Sequence, residues 1–120
     1  MQVTKWSENM NENVGFSGQI NPEDILQVVE KGFKSIINNR PDMEGGPEQP
    51  SSMQIEEATR NAGLDYIFHP VVSGQITELD ICTFANHYNN LQKPILMFCR
   101  TGNRSNNLYN LAKEMGLLDN

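Results

Sequence analysis

Apolar residues along this chain fall into short continuous runs that alternate with longer segments of helical spacing. Residues 13–20 predict a short strand and turn. Asn21 then offers an N-cap with Pro22 at the first helical position, Ile25, Leu26, Val28 and Val29 follow at helical spacing, and Gly32 is a stop. Phe33 to Asn38 predicts a second strand. Arg40 to Pro50 holds three prolines and two glycines and predicts a long surface loop of the kind that carries function. Ser51 and Gln54 resemble a capping box for a helix with Ile55, Ala58 and Ala62 on its apolar face, ended by Gly63. Leu64 to Val72 predicts a third strand and Ser73 to Ile76 a turn. Thr77 caps a helix with Ile81, Phe84, Ala85, Tyr88 and Leu91 on one side. The run Pro94 to Phe98 is a fourth strand, and Leu108, Tyr109, Leu111, Ala112 and Met115 mark a last helix.

Strands alternating with helices predict an α/β fold: a three-layer arrangement in which helices flank a largely parallel central sheet and ligands bind beyond the carboxyl ends of the strands. The 120 residues suit a polar N-terminal segment over 1–12 and a single domain over 13–120, with Trp6 placed to clamp the segment onto the domain. A net charge of −6 argues against nucleic-acid and membrane-surface partners, since a phosphate backbone meets net repulsion. With neither a signal peptide nor an apolar stretch near the ~20 residues that span a bilayer, the expected location is cytoplasmic. A reducing compartment makes a disulfide between Cys82 and Cys99 unexpected. His69 and His87 are isolated in sequence, so neither a metal nor a cofactor is expected.

Four arginines are present, and two of them, Arg100 and Arg104, flank a short loop that begins at Cys99, the residue after the fourth strand. A free thiol titrates near about 8.5, and nearby guanidiniums and a helix N-terminus favour its thiolate. Gly102 lets the backbone turn and bring N–H groups inward, Arg104 presents a planar fork to two oxygens, and Ser105 can cap the helix or donate to the sulfur. Cys99 is therefore the candidate nucleophile, expected as an exposed thiolate. Arg104 is its partner, and Arg100, Thr101, Gly102, Asn103 and Ser105 are the candidate substrate-binding residues. The competing interpretation is an inert core cysteine beside solvated arginines. Cys82, inside a helix and without basic neighbours, reads as a packed hydrophobe, as do Met43, Met53, Met97 and Met115. His69 reads as packed. A proton donor for a leaving group is sought first at Asp42, then at Glu44, and after these at Glu78 and Asp80.

On the residues Phe16-Ser17-Gly18-Gln19, Gly32 to Asn38, Arg40-Pro41-Asp42, Pro70 to Gly74 and Phe98 to Ser105, the chain resembles the phosphatase-like domain of the beta-lactamase hydrolase-like proteins. That family is a bacterial branch of the cysteine-dependent tyrosine and dual-specificity phosphatases. The resemblance implies a cysteine-phosphatase-like fold, a phosphocysteine formed on Cys99 and phosphoryl oxygens held by Arg104. Two departures stand out. Four residues separate Cys99 from Arg104 where tyrosine phosphatases have five, and Ser73 and Gly74 occupy the usual place of the general-acid aspartate. The loop is also similar to that of single-domain rhodanese-type sulfurtransferases, in which the cysteine carries a persulfide and no acid is needed.

Three functions follow as expectations: a phosphatase-like hydrolase of phosphate monoesters, a sulfurtransferase working through a Cys99 persulfide, and a silent oxyanion-binding module. The expected partner is a phosphorylated or sulfur-carrying substrate, with the oligomeric state left open.

Overall fold

The computed structural model describes residues 13–119. The polar segment 1–12, and with it Trp6, lies outside the described residues. Four strands, β1 (Val14–Ser17), β2 (Ser35–Asn38), β3 (Asp65–Phe68) and β4 (Ile95–Phe98), form one sheet in the order β1-β4-β2-β3, and every pairing is parallel. Between them run α1 (Ile25–Glu30), entered through a short 3-10 turn at Pro22–Asp24, α2 (Ser52–Asn61) and α3 (Glu78–Asn90), and α4 (Asn103–Glu114) closes the fold.

Alternation along the strands divides the core in two. Ile95, Met97 and Ile37 face one side, where Phe84, Tyr88, Leu108, Tyr109 and Ala112 of α3 and α4 cover them. Leu96, Phe98 and Ile36 face the other, against Ile25 and Val28 of α1 and Ile55 of α2. All four residues of β4 are fully buried, as expected of a parallel strand with helices on both faces. The two faces follow from chain direction. The connections from β1 to β2 and from β2 to β3 advance across the sheet, whereas that from β3 to β4 returns; a right-handed crossover then puts α3 on the opposite face from α1 and α2. β2 and β4 are neighbours whose following loops leave toward opposite faces, which opens a crevice at their carboxyl ends. Phe98 pairs with Ser17 on one side and Asn38 on the other, so Cys99, Gly18 and Asn39 emerge side by side at its edge.

Several sequence expectations need correction. The third strand ends at Phe68 and does not reach Val72: His69 N–H still donates to Asn38 O, but Val71 N–H turns to Asn39 O, out of the register of the ladder, and pairing stops there. The first helix buries only Ile25 and Val28, leaving Leu26 at 71% exposure, and on α4 Leu111 and Met115 also face outward. Of the four methionines read as packed, only Met97 is buried. Cys82 is exposed, because the buried stripe of α3 is Ile81, Phe84, Ala85 and Tyr88 and position 82 falls off it. His69 is buried, but the two histidines are not isolated in space: their rings lie 5.8 Å apart. Among the described residues, no helix is long and apolar enough to cross a membrane.

Candidate active site

Cys99 leaves β4 with its N–H donated to Ser17 O at 3.3 Å. Its sulfur accepts the Gly102 N–H at 3.1 Å, so one loop amide does point at the thiol. Gly102 is the N-cap of α4 with φ of +95°, and a Cβ there would stand 3.4 Å from the Ser17 backbone. Both the left-handed backbone and the close approach call for glycine. The turn after β1 braces the loop from outside. Gln19 N–H donates to Arg100 O at 3.2 Å, and any Cβ on Gly18 would stand 3.0 Å from that same oxygen. Thr101 Oγ1 accepts the Asn103 N–H at 3.3 Å, and the first-turn amides of α4 have no intrahelical acceptor.

The expectation of an exposed thiol needs correction. Cys99 is 1% exposed, because it sits at the end of a fully buried central strand with the loop folded over it. It is nonetheless not sealed: it lines a cavity of about 450 Å³ together with Glu44, Ser73, Arg100, Thr101, Asn103 and Arg104. Arg100, Thr101 and Asn103 are exposed at the rim, while Arg104 is buried. Ser105 is not in the lining and neither caps the helix nor reaches the sulfur. Fully buried behind the loop, it donates to Asn39 Oδ1 at 2.8 Å.

Arg104 is held through its two terminal nitrogens. Its NH1 donates to Val71 O at 3.0 Å and meets Glu44 Oε2 at 3.0 Å, and its NH2 donates to Glu44 Oε1 at 3.1 Å. Glu44 Oε1 also accepts from Arg40 Nε at 2.9 Å, and Arg40 NH1 in turn donates to Gln19 Oε1. The third guanidinium nitrogen, Nε, is buried and has no hydrogen-bond partner among the described residues. An orphaned guanidinium N–H is costly unless an acceptor arrives. Burial pushes the Glu44 pKa up, but the hydrogen bonds and charges of Arg104 and Arg40 outweigh it, and the carboxyl is held below its usual 4.5.

Asp42, the first candidate for the acid, is turned away from this cavity: its Oδ1 accepts the Ser52 N–H at 2.8 Å at the start of α2. Glu78 and Asp80 sit in the first turn of α3, where Asp80 closes a capping box with Thr77. Glu44 is the one carboxylate among the described lining residues, and it is engaged as an ion-pair partner. The sequence gives no role to Asn39, Val71 or Gln19, and names Ser73, which lines the cavity, only as standing where a general-acid aspartate is usual. Asn39 and Gln19 lie inside the quoted likenesses or beside them, but their bonds span distant segments and leave no local signal. Among the described residues, no cluster of three or more His, Cys, Asp or Glu side chains is disposed to hold a metal ion.

Comparison with known proteins agrees with this architecture. A crystal structure of a candidate phosphatase from Neisseria meningitidis superposes with a TM-score of 0.79 at 33% identity, covering 86% of this chain and 72% of that one. A second, from Shewanella putrefaciens, gives a TM-score of 0.75 over 97% of this chain and 72% of that one, but at 19% identity it speaks for the fold alone. Beta-lactamase hydrolase-like proteins of Xylella fastidiosa and Agrobacterium fabrum are 38% and 39% identical over 88% of this chain. The chain spans 24% of the length of those relatives. Residues 8–116 match the family model described as the phosphatase-like domain of beta-lactamase hydrolase-like protein, and the chain belongs to that family.

Proposed function

We propose that the protein is a cysteine-dependent phosphatase-like hydrolase whose substrates carry good leaving groups. The observation that carries this reading is one cavity lined by both Cys99, whose sulfur accepts a loop amide, and Arg104, a buried guanidinium whose Nε has no hydrogen-bond partner among the described residues. Glu44 and Val71 hold the NH1 and NH2 ends of the guanidinium, so its orientation is fixed before a ligand arrives. Preorganised donors of this kind stabilise charge as it develops on a transferred phosphoryl group.

In the proposed reaction the Cys99 sulfur attacks phosphorus, an S–P bond forms, and the P–O bond to the leaving group breaks with its electron pair on oxygen. Arg104 and the loop amides hold the remaining phosphoryl oxygens, with Arg100, Thr101 and Asn103 at the rim. Water then attacks the phosphocysteine, releasing phosphate and restoring the sulfur. Glu44 is an ionised partner of Arg104 and not a proton donor, so the departing oxygen has to leave as an anion. Aryl phosphates satisfy that requirement and alkyl phosphates do not. A reducing cytoplasmic setting suits a mechanism that depends on a free thiol.

The same engaged carboxylate favours a second reading, sulfur transfer through a Cys99 persulfide, because that chemistry expels no alkoxide. Incubation with an aryl phosphate and, separately, with thiosulfate, followed by intact mass measurement, distinguishes the two. A phosphoryl adduct absent from Cys99→Ser supports the hydrolase, one added sulfur supports the transferase, and turnover undiminished in Cys99→Ser overturns both. Among phosphate esters, rates are expected to rise steeply as the leaving group becomes more acidic.

A further inference from the structure

We propose that Asn39 is a positioning residue for the oxyanion cradle, setting where Arg104 and the first turn of α4 stand relative to Cys99 without touching the substrate. The inference rests on the anion-binding reading of the site and adds a residue to it.

Asn39 follows β2 directly and is fully buried, yet almost every polar group it owns is spent on elements that carry the site. Its N–H donates to Phe98 O at 2.8 Å, the last carbonyl before Cys99. Its carbonyl accepts from Val71 N–H at 3.1 Å and stands 3.5 Å from Arg104 NH1. Its side-chain Nδ2 donates to His69 O at 2.8 Å, while Oδ1 accepts the Ser105 hydroxyl at 2.8 Å. One residue thus joins the end of β4, the 69–71 segment that supplies a carbonyl to Arg104, and the helix turn on which Arg104 is mounted. A carbonyl partner on one side and a hydroxyl donor on the other fix which end of the amide is which, so only asparagine's mixed donor and acceptor satisfies both. With both ends of the Asn39 amide and the Ser105 hydroxyl engaged, this part of the network admits few alternative arrangements, which is the property a cradle needs.

A residue that merely stabilised the fold would lower stability when removed but leave the folded site unchanged. The test therefore reads the site. In the 15N-labelled full chain, solvent exchange of the Arg104 Nε–H reports how firmly the guanidinium is held, and titration with inorganic phosphate reports the cradle. Losing buried hydrogen bonds in Asn39→Ala is expected to speed that exchange and weaken phosphate binding by about tenfold each, and in Ser105→Ala by about threefold. The double variant should be no worse than Asn39→Ala alone, because Ser105 acts through Asn39. Thr59→Val, which removes a buried hydroxyl bonded to Ile55 O inside α2, is the stability control and should change neither readout.

Unchanged exchange and phosphate affinity in folded Asn39→Ala overturn the proposal, as do effects of Asn39→Ala and Ser105→Ala that multiply independently. Should Asn39→Ala fail to fold, Ser105→Ala decides on the same two readouts. If the wild-type chain binds no phosphate but Arg104 exchange still responds, the positioning role stands and the oxyanion reading falls. If phosphate binds and neither readout responds, the reverse holds.

Discussion

Two loops meet at the carboxyl end of the sheet, and they are built on opposite plans. The loop after β4 is short, and its chemistry is contiguous: Cys99, Gly102 and Arg104 come from one stretch of chain and turn on one left-handed glycine. The loop after β2, residues 39–50, is long and is held by bonds within itself and to remote segments. Gln49 Nε2 reaches Pro41 O, Gly45 N–H reaches Gln49, Asp42 reaches α2, and Glu44 reaches Arg104. In the proposed reaction the first loop supplies the nucleophile and the guanidinium. The second orients that guanidinium through Glu44, its only contribution to the cavity lining among the described residues. A site of this kind is lost by breaking either loop, but the two losses differ in kind.

That contrast can be tested by descending steps. Arg104→Lys is expected to have the largest effect, about a 10²-fold or greater loss of kcat/KM for an aryl phosphate, because an ammonium cannot pair with Glu44 on one edge and present a second N–H on the other. Glu44→Gln should cost about tenfold, since a neutral amide keeps the shape but drops the charge-assisted bonds that orient Arg104. Its loss should be uniform across leaving groups. A loss confined to poor leaving groups would instead make Glu44 a proton donor and dissolve the distinction between the loops. Asp42→Ala should leave kcat/KM within about twofold while lowering stability by about 1 kcal/mol, because Asp42 serves the start of α2 and not the cavity; urea denaturation and steady-state kinetics on one preparation separate the two.

The smallest expected effect concerns the segment behind both loops. Burial lowers the pKa of His69 below its usual 6.5, the nearby charge of His87 lowers it further, and Asp80 opposes them. In the unfolded chain His69 then binds protons more readily than in the folded one, so stability is complete above about pH 6.5 and declines as the pH falls toward the depressed value. Urea midpoints at pH 7.5 and 5.5 should differ less in His69→Gln than in the wild type. An undiminished difference would assign the acid sensitivity to other groups.

What was legible in the sequence tracks the same division. The strand ending at Phe98, the cysteine after it, the turn at Gly102 and the helix carrying Arg104 are each set by neighbours a few residues away, and the chain shows them directly. The all-parallel sheet and its two helical faces follow from the alternation of strands and helices in the same way. The choice of Glu44 over Asp42 was not visible. Both are acids in one loop, and what decides between them is a hydrogen bond to Ser52 in one case and to an arginine 60 positions away in the other. Cys82 misled for a related reason: an apolar stripe on a helix is fixed only when the neighbouring layer is known, and position 82 lies just outside it. Ser105 reads as a residue able to cap the helix or donate to the sulfur, yet the helix turns its hydroxyl toward Asn39.

The close contact between Gly102 and the Ser17 backbone, with Gly18 against Arg100 O, has a practical consequence for anyone wishing to transplant this loop. A graft of the stretch from Cys99 to Ser105 onto another parallel sheet would arrive without the template that shapes it. It would need the Ser17-Gly18-Gln19 corner on the adjacent strand as well, so the portable unit is a pair of neighbouring strand ends and not the short peptide that bears the thiol.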